Sequence, residues 1–166
     1  MTTWVYKRWK YIAADLRSVW WHAWVSNDSN KITHIKNNDW SLSIYLISSG
    51  VKILDDVKKN MLEHFFIKSN NNREDSLYEF KNELKKYDPE FEYIIVFIDN
   101  WNEAAYRLIP SNAEKIEDFC SVWSWWYYAD WIHLCKPDVE LKELFQLCSR
   151  MDVNTSSDFN FISLKQ

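Results

Sequence analysis

The spacing of apolar residues along the chain predicts several amphipathic helices. In residues 4–25 the apolar side chains recur every three or four positions, which is typical of a helix with one buried face, although residues 2–11 also fit an aromatic strand. The other helices are predicted over residues 52–67, over 74–86, from Ser111 or Asn112 toward Cys135, and after Asp138 with Leu141, Leu144, Phe145 and Cys148 turned inward.

Alternating and continuous apolar runs predict the strands. Residues 40–47 alternate between apolar and polar, as in a half-buried strand, and residues 91–98 are apolar on both faces, as in a central strand. Residues 104–109 favour a further strand before Pro110, and an edge strand is suggested within a loose tail at 154–166. Together these elements predict an α+β fold: one domain over 1–166, with a small central sheet and four to five helices.

Glycine is almost absent from the composition, and this excludes whole classes of site. Gly50 is the one glycine in 166 residues. Phosphate-binding loops, dinucleotide-binding turns and the nucleophile elbow of serine hydrolases each need several glycines, because backbone must approach a ligand closely or adopt positive φ. Positive-φ turns are therefore expected at the asparagine-rich clusters 27–30, 37–39 and 70–72.

The cysteine and histidine residues do not predict a metal site. Three cysteines are too few for a disulfide framework, so a reducing, cytoplasmic location is expected. His133 and Cys135 are two residues apart, and on a helix such side chains diverge by about 200°. Neither a metal nor a cofactor is predicted. No membrane span is predicted either, because Asp130 interrupts the most apolar stretch, 119–135.

The chain contains eleven tryptophans, more than the core of a domain of this size needs. Adjacent pairs occur at Trp20-Trp21 and Trp125-Trp126, and neighbours on a helix diverge by about 100°. One ring of each pair is therefore expected at a surface, where indoles anchor protein interfaces or stack on sugars and bases.

Charge is distributed unevenly along the chain. Residues 1–36 carry six basic and two acidic side chains, whereas residues 88–118 carry eight acidic and two basic ones. Carboxylates around an exposed indole suit a basic protein surface, because they combine electrostatic steering with an aromatic anchor. An acidic and aromatic surface facing a basic protein partner is therefore the leading prediction.

By elimination, the function predicted first is a small cytosolic binding protein that occludes its partner. A toxin-immunity protein or a phage-encoded inhibitor fits this description, with a toxin or nuclease as the basic partner. The residues predicted to form the interface are Asp99, Trp101, Glu103, Asp130 and Trp131, with Glu90 and Glu92 at its rim.

Two other functions stay open at this stage. A binder of nucleic acid or carbohydrate would use the basic aromatic segment at the amino terminus, formed by Trp4, Tyr6, Lys7, Arg8 and Trp9. An enzyme is less favoured, because no catalytic motif is visible, yet catalytic groups that assemble only in space leave no sequence pattern. The oligomeric state is not predicted.

Overall fold

The structure is a computed structural model that describes residues 4–16, 18–20, 24–26, 31–48, 53–100, 102–122, 126–151 and 155–164. At positions 18–20, 24–26, 126 and 127 it describes the backbone alone. The chain divides into two compact units. The terminal unit comprises Met1–Lys31 and Glu117–Gln166, and the middle unit comprises Ile32–Ile116.

Eleven strands and four α-helices are present in the described residues. The strands are β1 (Trp4–Lys7), β2 (Tyr11–Asp15), β3 (Ser18–Trp20), β4 (Trp24–Ser26), β5 (Ile32–Lys36), β6 (Leu42–Ile47), β7 (Tyr93–Asp99), β8 (Asn102–Leu108), β9 (Ala113–Ile116), β10 (Phe119–Val122) and β11 (Phe159–Ser163). The helices are α1 (Asp55–Leu62), α2 (Arg73–Tyr87), α3 (Trp126–Cys135) and α4 (Leu141–Met151), and a π-helical segment, Glu63–Ile67, continues α1. No described helix is long and apolar enough to cross a membrane.

The terminal unit contains an antiparallel sheet in the order β10-β1-β2-β11, and β3 pairs with β4 as a separate hairpin. One face of the larger sheet packs against α3 and α4. Val5 and Ala13 from the sheet share a buried cluster with Ala129, Leu144 and Phe145 from the helices. The small side chain at Ala13 lets a helix approach the sheet closely.

The middle unit contains an antiparallel meander in the order β5-β6-β7-β8-β9. β7 is its central strand, and Tyr93 through Ile98 are all buried, as expected of a strand that is covered on both faces. Phe66, in the π-helical segment, packs edge-on against Phe97 of β7 at 5.0 Å and against Phe80 of α2 at 5.3 Å. These rings join the helices to the sheet.

The α+β class is confirmed, and several of the individual elements were predicted from the sequence. The predicted elements that are present, with small shifts at their ends, are β6, β7, β8, β11, α2 and α4. The helix predicted over 52–67 is confirmed in part, since α1 begins at Asp55 and ends as a π-helix. The tail is not loose at residues 159–163, because β11 pairs with β2.

Two predicted helices are wrong. The described residues within 4–25 form strands β1 to β4, with a turn at 8–10 and no helix. The region from Ser111 to Val122 forms β9 and β10, so that only α3 remains of the second helix. In β1 both Val5 and its neighbours Trp4 and Tyr6 are buried. A strand buried on both faces has apolar residues at every position, so a helical period can be read into it by chance. The prediction of one small central sheet is therefore also wrong in size, since the described strands form sheets of four, two and five strands.

The chain has a single glycine, and three other residues adopt positive φ angles in its described part. Asn100 has φ 44° in the β7–β8 turn, as expected of asparagine, but Trp9 (φ 55°) and Trp40 (φ 64°) were not expected. Trp40 follows the asparagine-rich cluster 37–39 directly, and Lys36 lies over its ring at 3.9 Å. This cation–π contact holds the exposed indole of Trp40 against β5.

Candidate active site: a buried lysine and aspartate

A fully buried ion pair lies in the terminal unit. Lys31 Nζ is 2.7 Å from Asp15 Oδ1, and neither side chain has any solvent exposure. Asp15 is the last residue of β2, and Lys31 directly precedes β5. Removing two charges from water costs several kcal/mol each, which the attraction between them offsets only with good geometry. Stability alone is therefore a weak reason for this pair.

The loop before β11 holds the second carboxylate oxygen of Asp15. Ser156 donates its backbone N–H to Asp15 Oδ2 at 3.1 Å. The Ser156 hydroxyl in turn accepts from the backbone N–H of Asp158 at 3.0 Å, and the Asp158 carbonyl accepts from the Leu16 N–H at 3.1 Å. Both Thr155 and Ser156 are buried. These bonds fix the orientation of the carboxylate toward Lys31.

Burial changes the acid–base behaviour of Lys31. The pKa of Lys31 lies below its ordinary value because burial disfavours the ammonium, and the attraction and hydrogen bond of Asp15 offset this only in part. An amine with a lowered pKa is neutral in a larger fraction of molecules and can then accept a proton. The lowered pKa makes proton uptake and release by Lys31 easier than for an exposed lysine, and Asp15 determines where its amine points.

The strand register places the start of β1 beside this pair. Trp4, the first described residue of β1, is opposite Ala14 of β2, and Asp15 is the next residue along β2. Asp15 and Lys31 therefore lie close to where the chain enters β1.

Comparisons with known proteins give the fold. No family model matches the chain, and no curated protein matches its sequence. Solved structures do match. Eukaryotic HslV from Trypanosoma brucei is 14% identical with a TM-score of 0.70, over 99% of this chain and 100% of that one. The helical assembly of the Anbu complex from Pseudomonas aeruginosa is 12% identical with a TM-score of 0.75, over 98% of this chain and 80% of that one.

A third match, Anbu (ancestral beta-subunit) from Yersinia bercovieri, is 9% identical with a TM-score of 0.71, over 98% of this chain and 80% of that one. The chain has the fold of proteasome-like subunits. The prediction of an inhibitor or immunity protein is wrong, because the neighbours in fold are proteasome-type subunits.

Neither Asp15 nor Lys31 was singled out from the sequence. They are separated by 15 residues, and the segment that contains Asp15 was interpreted as helical, where an aspartate belongs on the solvated face. In the structure Asp15 ends a strand whose preceding residues, Ile12 through Ala14, are buried. A charge that ends a fully buried strand needs a partner. Had residues 11–15 been assigned as a buried strand, Asp15 would therefore have been recognised as a candidate.

The acids predicted around the β7–β8 turn do not form an open acidic surface. Asp99 is half-exposed and pairs with Arg73, with 3.2 Å between its Oδ2 and the guanidinium. Glu103 is buried, with 8% of its surface exposed, and therefore cannot contribute to a surface that contacts a partner. Trp101 lies outside the described residues.

The two acids predicted for the rim lie at the opposite end of β7. Glu92 pairs with Arg107, whose Nε donates to Glu92 Oε1 at 2.6 Å, and Glu90 is exposed. β7 separates them from Asp99 by about 20 Å, at roughly 3.3 Å per residue. Asp99 and Glu103 are therefore not in one cluster with Glu90 and Glu92.

Asp130 and Trp131 belong to the terminal unit, on α3. The Ser121 hydroxyl donates to Asp130 Oδ1 at 2.7 Å, so this carboxylate is directed toward β10. Trp131 is 67% exposed, as predicted for an interface anchor. Its role in binding stays a prediction.

The basic aromatic segment is not an open stacking surface. Trp4 and Tyr6 are buried, and Trp9 is the exposed ring of the three. Lys7 Nζ is 2.6 Å from Asp118 Oδ2, and Arg8 lies 4.0 Å from Glu117. Both cations thus have acidic neighbours, which lowers the attraction of this segment for phosphate groups.

No group of three or more histidine, cysteine or acidic side chains in the described part of the chain is arranged to hold a metal ion.

Proposed function

We propose that the chain hydrolyses amide bonds, with a threonine hydroxyl from the amino-terminal segment as nucleophile and Lys31 as the base. The observation that carries this proposal is the fully buried pair of Lys31 and Asp15, held at 2.7 Å in a proteasome-like fold. Asp15 acts as a positioning residue for the amine of Lys31.

Thr2 and Thr3 immediately precede Trp4 in the sequence. Both threonines lie outside the described residues. Each residue advances the chain by at most about 3.6 Å, and Trp4 is paired one position from Asp15. A nucleophile from the segment that precedes Trp4 would therefore have only a short length of chain to span to the pair. A threonine with a free α-amine has an additional base of its own, so processing that exposes Thr2 or Thr3 would favour the reaction.

The proposed reaction has two stages. The threonine oxygen attacks the amide carbon while its proton passes to the neutral amine of Lys31; the C–N bond then breaks, and the leaving amine takes that proton. Water hydrolyses the resulting ester and restores the hydroxyl.

Labelling with a peptide vinyl sulfone, which alkylates an activated hydroxyl, tests the proposal. Intact mass and peptide mapping should place one adduct on Thr2 or Thr3, and Lys31→Met should slow labelling about 100-fold or more. The matched control is Lys58→Met, since Lys58 is also buried and its Nζ donates to Ser48 Oγ at 2.8 Å in the middle unit. Labelling elsewhere, or equal rates in both variants, would refute the proposal.

The Anbu complex from Pseudomonas aeruginosa forms a helical assembly, which supports a protein partner for this chain. We propose that the outer face of α3 binds a second copy of this chain. Trp131 and Leu134 lie one helical turn apart and are 67% and 76% exposed. Two ionisable side chains of α3 have partners within the terminal unit: Asp130 is bonded to Ser121, and His133 lies 3.2 Å from Lys7.

An apolar face without charge suits a second copy, because like charges then do not oppose each other across a symmetric contact. Sedimentation of Trp131→Ala and Leu134→Ala should show weaker self-association than the parent. Trp40→Ala is the matched control, since Trp40 is a 71% exposed tryptophan of the middle unit. A monomeric parent protein, or equal loss in the control, would contradict this surface.

A further inference from the structure

An open cavity of about 440 Å³ lies between two helical segments of the middle unit. One wall is a single helical face that continues from α1 into the π-helical segment, and the other is the last turn of α2. The lining residues are Val57, Asn60, Met61, His64, Phe65, Glu83 and Tyr87. This volume falls within the range of small-molecule sites, which are apolar with a few polar groups.

The π-helical segment gives this wall its shape. The Lys68 N–H donates to the Glu63 carbonyl, five residues earlier, at 2.8 Å. Such turns are rare within helices and are found frequently at functional sites. Here the segment carries His64 and Phe65 into the cavity, with their rings edge to face at 4.9 Å.

Several polar side chains of the lining make no hydrogen bond within the described part of the chain. Among the described residues, no hydrogen bond is made by the side chains of Asn60, His64 or Tyr87. All three are exposed residues on the rim of the cavity. They are therefore available to a ligand at the cost of displacing water.

The charge of the cavity favours a cation. Glu83 is the one carboxylate among the described residues of the lining, and its side chain is 28% exposed, against 69% for its ion-pair partner Lys86. The carbonyl end of α2, which ends at Tyr87, carries the negative end of the helix dipole. The rings of Phe65 and Tyr87 add faces on which a cation is attracted.

We infer that this cavity binds an organic ammonium ion with an apolar or aromatic body. The ammonium pairs with Glu83 and the body lies on Met61 and Phe65. Lys86 then competes with the ligand, because its Nζ is 2.6 Å from Glu83 Oε2. The inference does not depend on the proposed hydrolase activity and is testable whether or not that activity exists.

Phenethylamine is a suitable probe, with 2-phenylethanol and phenylacetate as neutral and anionic analogues of similar size. The methyl signal of Met61 in NMR reports binding, and Met1 and Met151 are the internal references. We expect phenethylamine to shift the Met61 signal in a saturable manner at concentrations where the two analogues shift it little.

Charge variants provide the decisive comparison. Glu83→Gln should weaken binding of phenethylamine about tenfold. Lys86→Met should strengthen it about threefold, because the competing ammonium is removed. Lys85→Met makes the same change of charge one residue away and should have a smaller effect. Equal binding of 2-phenylethanol, no saturable Met61 shift, or equal effects of the two lysine variants would overturn the inference.

Discussion

Lys31 and Asp15 depend on each other for their burial. Replacement of Lys31 by methionine keeps a side chain of similar length but leaves the Asp15 carboxylate buried without its ammonium. The free energy of unfolding should fall by about 3–5 kcal/mol. Adding Asp15→Asn removes the remaining charge and retains an acceptor for the Ser156 N–H, so the double variant should be more stable than Lys31→Met alone. Urea denaturation measures both, and simple addition of the two losses would contradict the coupling.

His133 gives the terminal unit a pH dependence. Its ring stacks on Phe119 at 4.0 Å, and its Nε2 is 3.2 Å from Lys7 Nζ. Burial, followed by repulsion from Lys7 and Lys10, lowers the pKa of His133, and Asp118 and Asp130 oppose this shift. The unfolded chain therefore binds a proton more readily than the folded one.

The contribution of His133 to the free energy of unfolding is thus fully present above about pH 6.5. It is lost as the pH falls toward the pKa of His133 in the folded protein. His133→Gln cannot titrate and should lose less stability between pH 7.5 and pH 5 than the parent. Thermal melting at the two values tests this. His34 of the middle unit titrates in the same direction, since burial and Lys36 lower its pKa, so the difference between the proteins is the relevant quantity. An identical pH dependence in both would argue against a role for His133.

Among the elements, helix α2 has an N-cap residue at its start. Asn72 precedes the helix with extended backbone, and its Oδ1 accepts from the Asp75 N–H at 2.9 Å. Asn72→Ala should lower the free energy of unfolding by about 1 kcal/mol. Asn70→Ala changes the same residue type in the same loop and should stay within about 0.5 kcal/mol of the parent. Denaturant titration of both compares them, and equal losses would show that the cap contributes nothing specific.

Elements with an uninterrupted apolar pattern were predictable from the sequence, whereas β1 and β2 were not. α2 and α4 present a helical stripe, while β7 is a continuous apolar block between turn signals. β1 and β2 have the same two-sided burial as β7, but Lys7, Arg8 and Lys10 interrupt the apolar pattern and suggest a helix with a polar side. In the structure those basic residues lie at the end of β1 and in the turn, where acids from residues 117–138 balance them.

The candidate active site was out of reach of the sequence for the same reason. Asp15 and Lys31 meet only because β2 ends where the chain leading into β5 returns, and that path depends on strands that were interpreted as a helix. The predicted acidic surface is not formed, for a different reason. Its residues are charged as predicted, but Glu103 is buried, and Asp99 and Glu92 are paired with arginines. Linear charge density does not reveal such pairing.

For the whole molecule, the formal net charge of −4 opposes the association of two copies of the chain. Copies repel each other at low salt, and the screening length falls from about 30 Å at 0.01 M to about 10 Å at 0.1 M. The proposed contact through Trp131 and Leu134 has no outward charge, so salt removes repulsion without weakening attraction. Self-association should therefore strengthen from 0.02 M to 0.5 M sodium chloride, and Trp131→Ala should reduce it at every concentration. Sedimentation equilibrium measures both effects. Association that weakens steeply with salt would instead indicate an ionic contact and would exclude the apolar face of α3 as its basis.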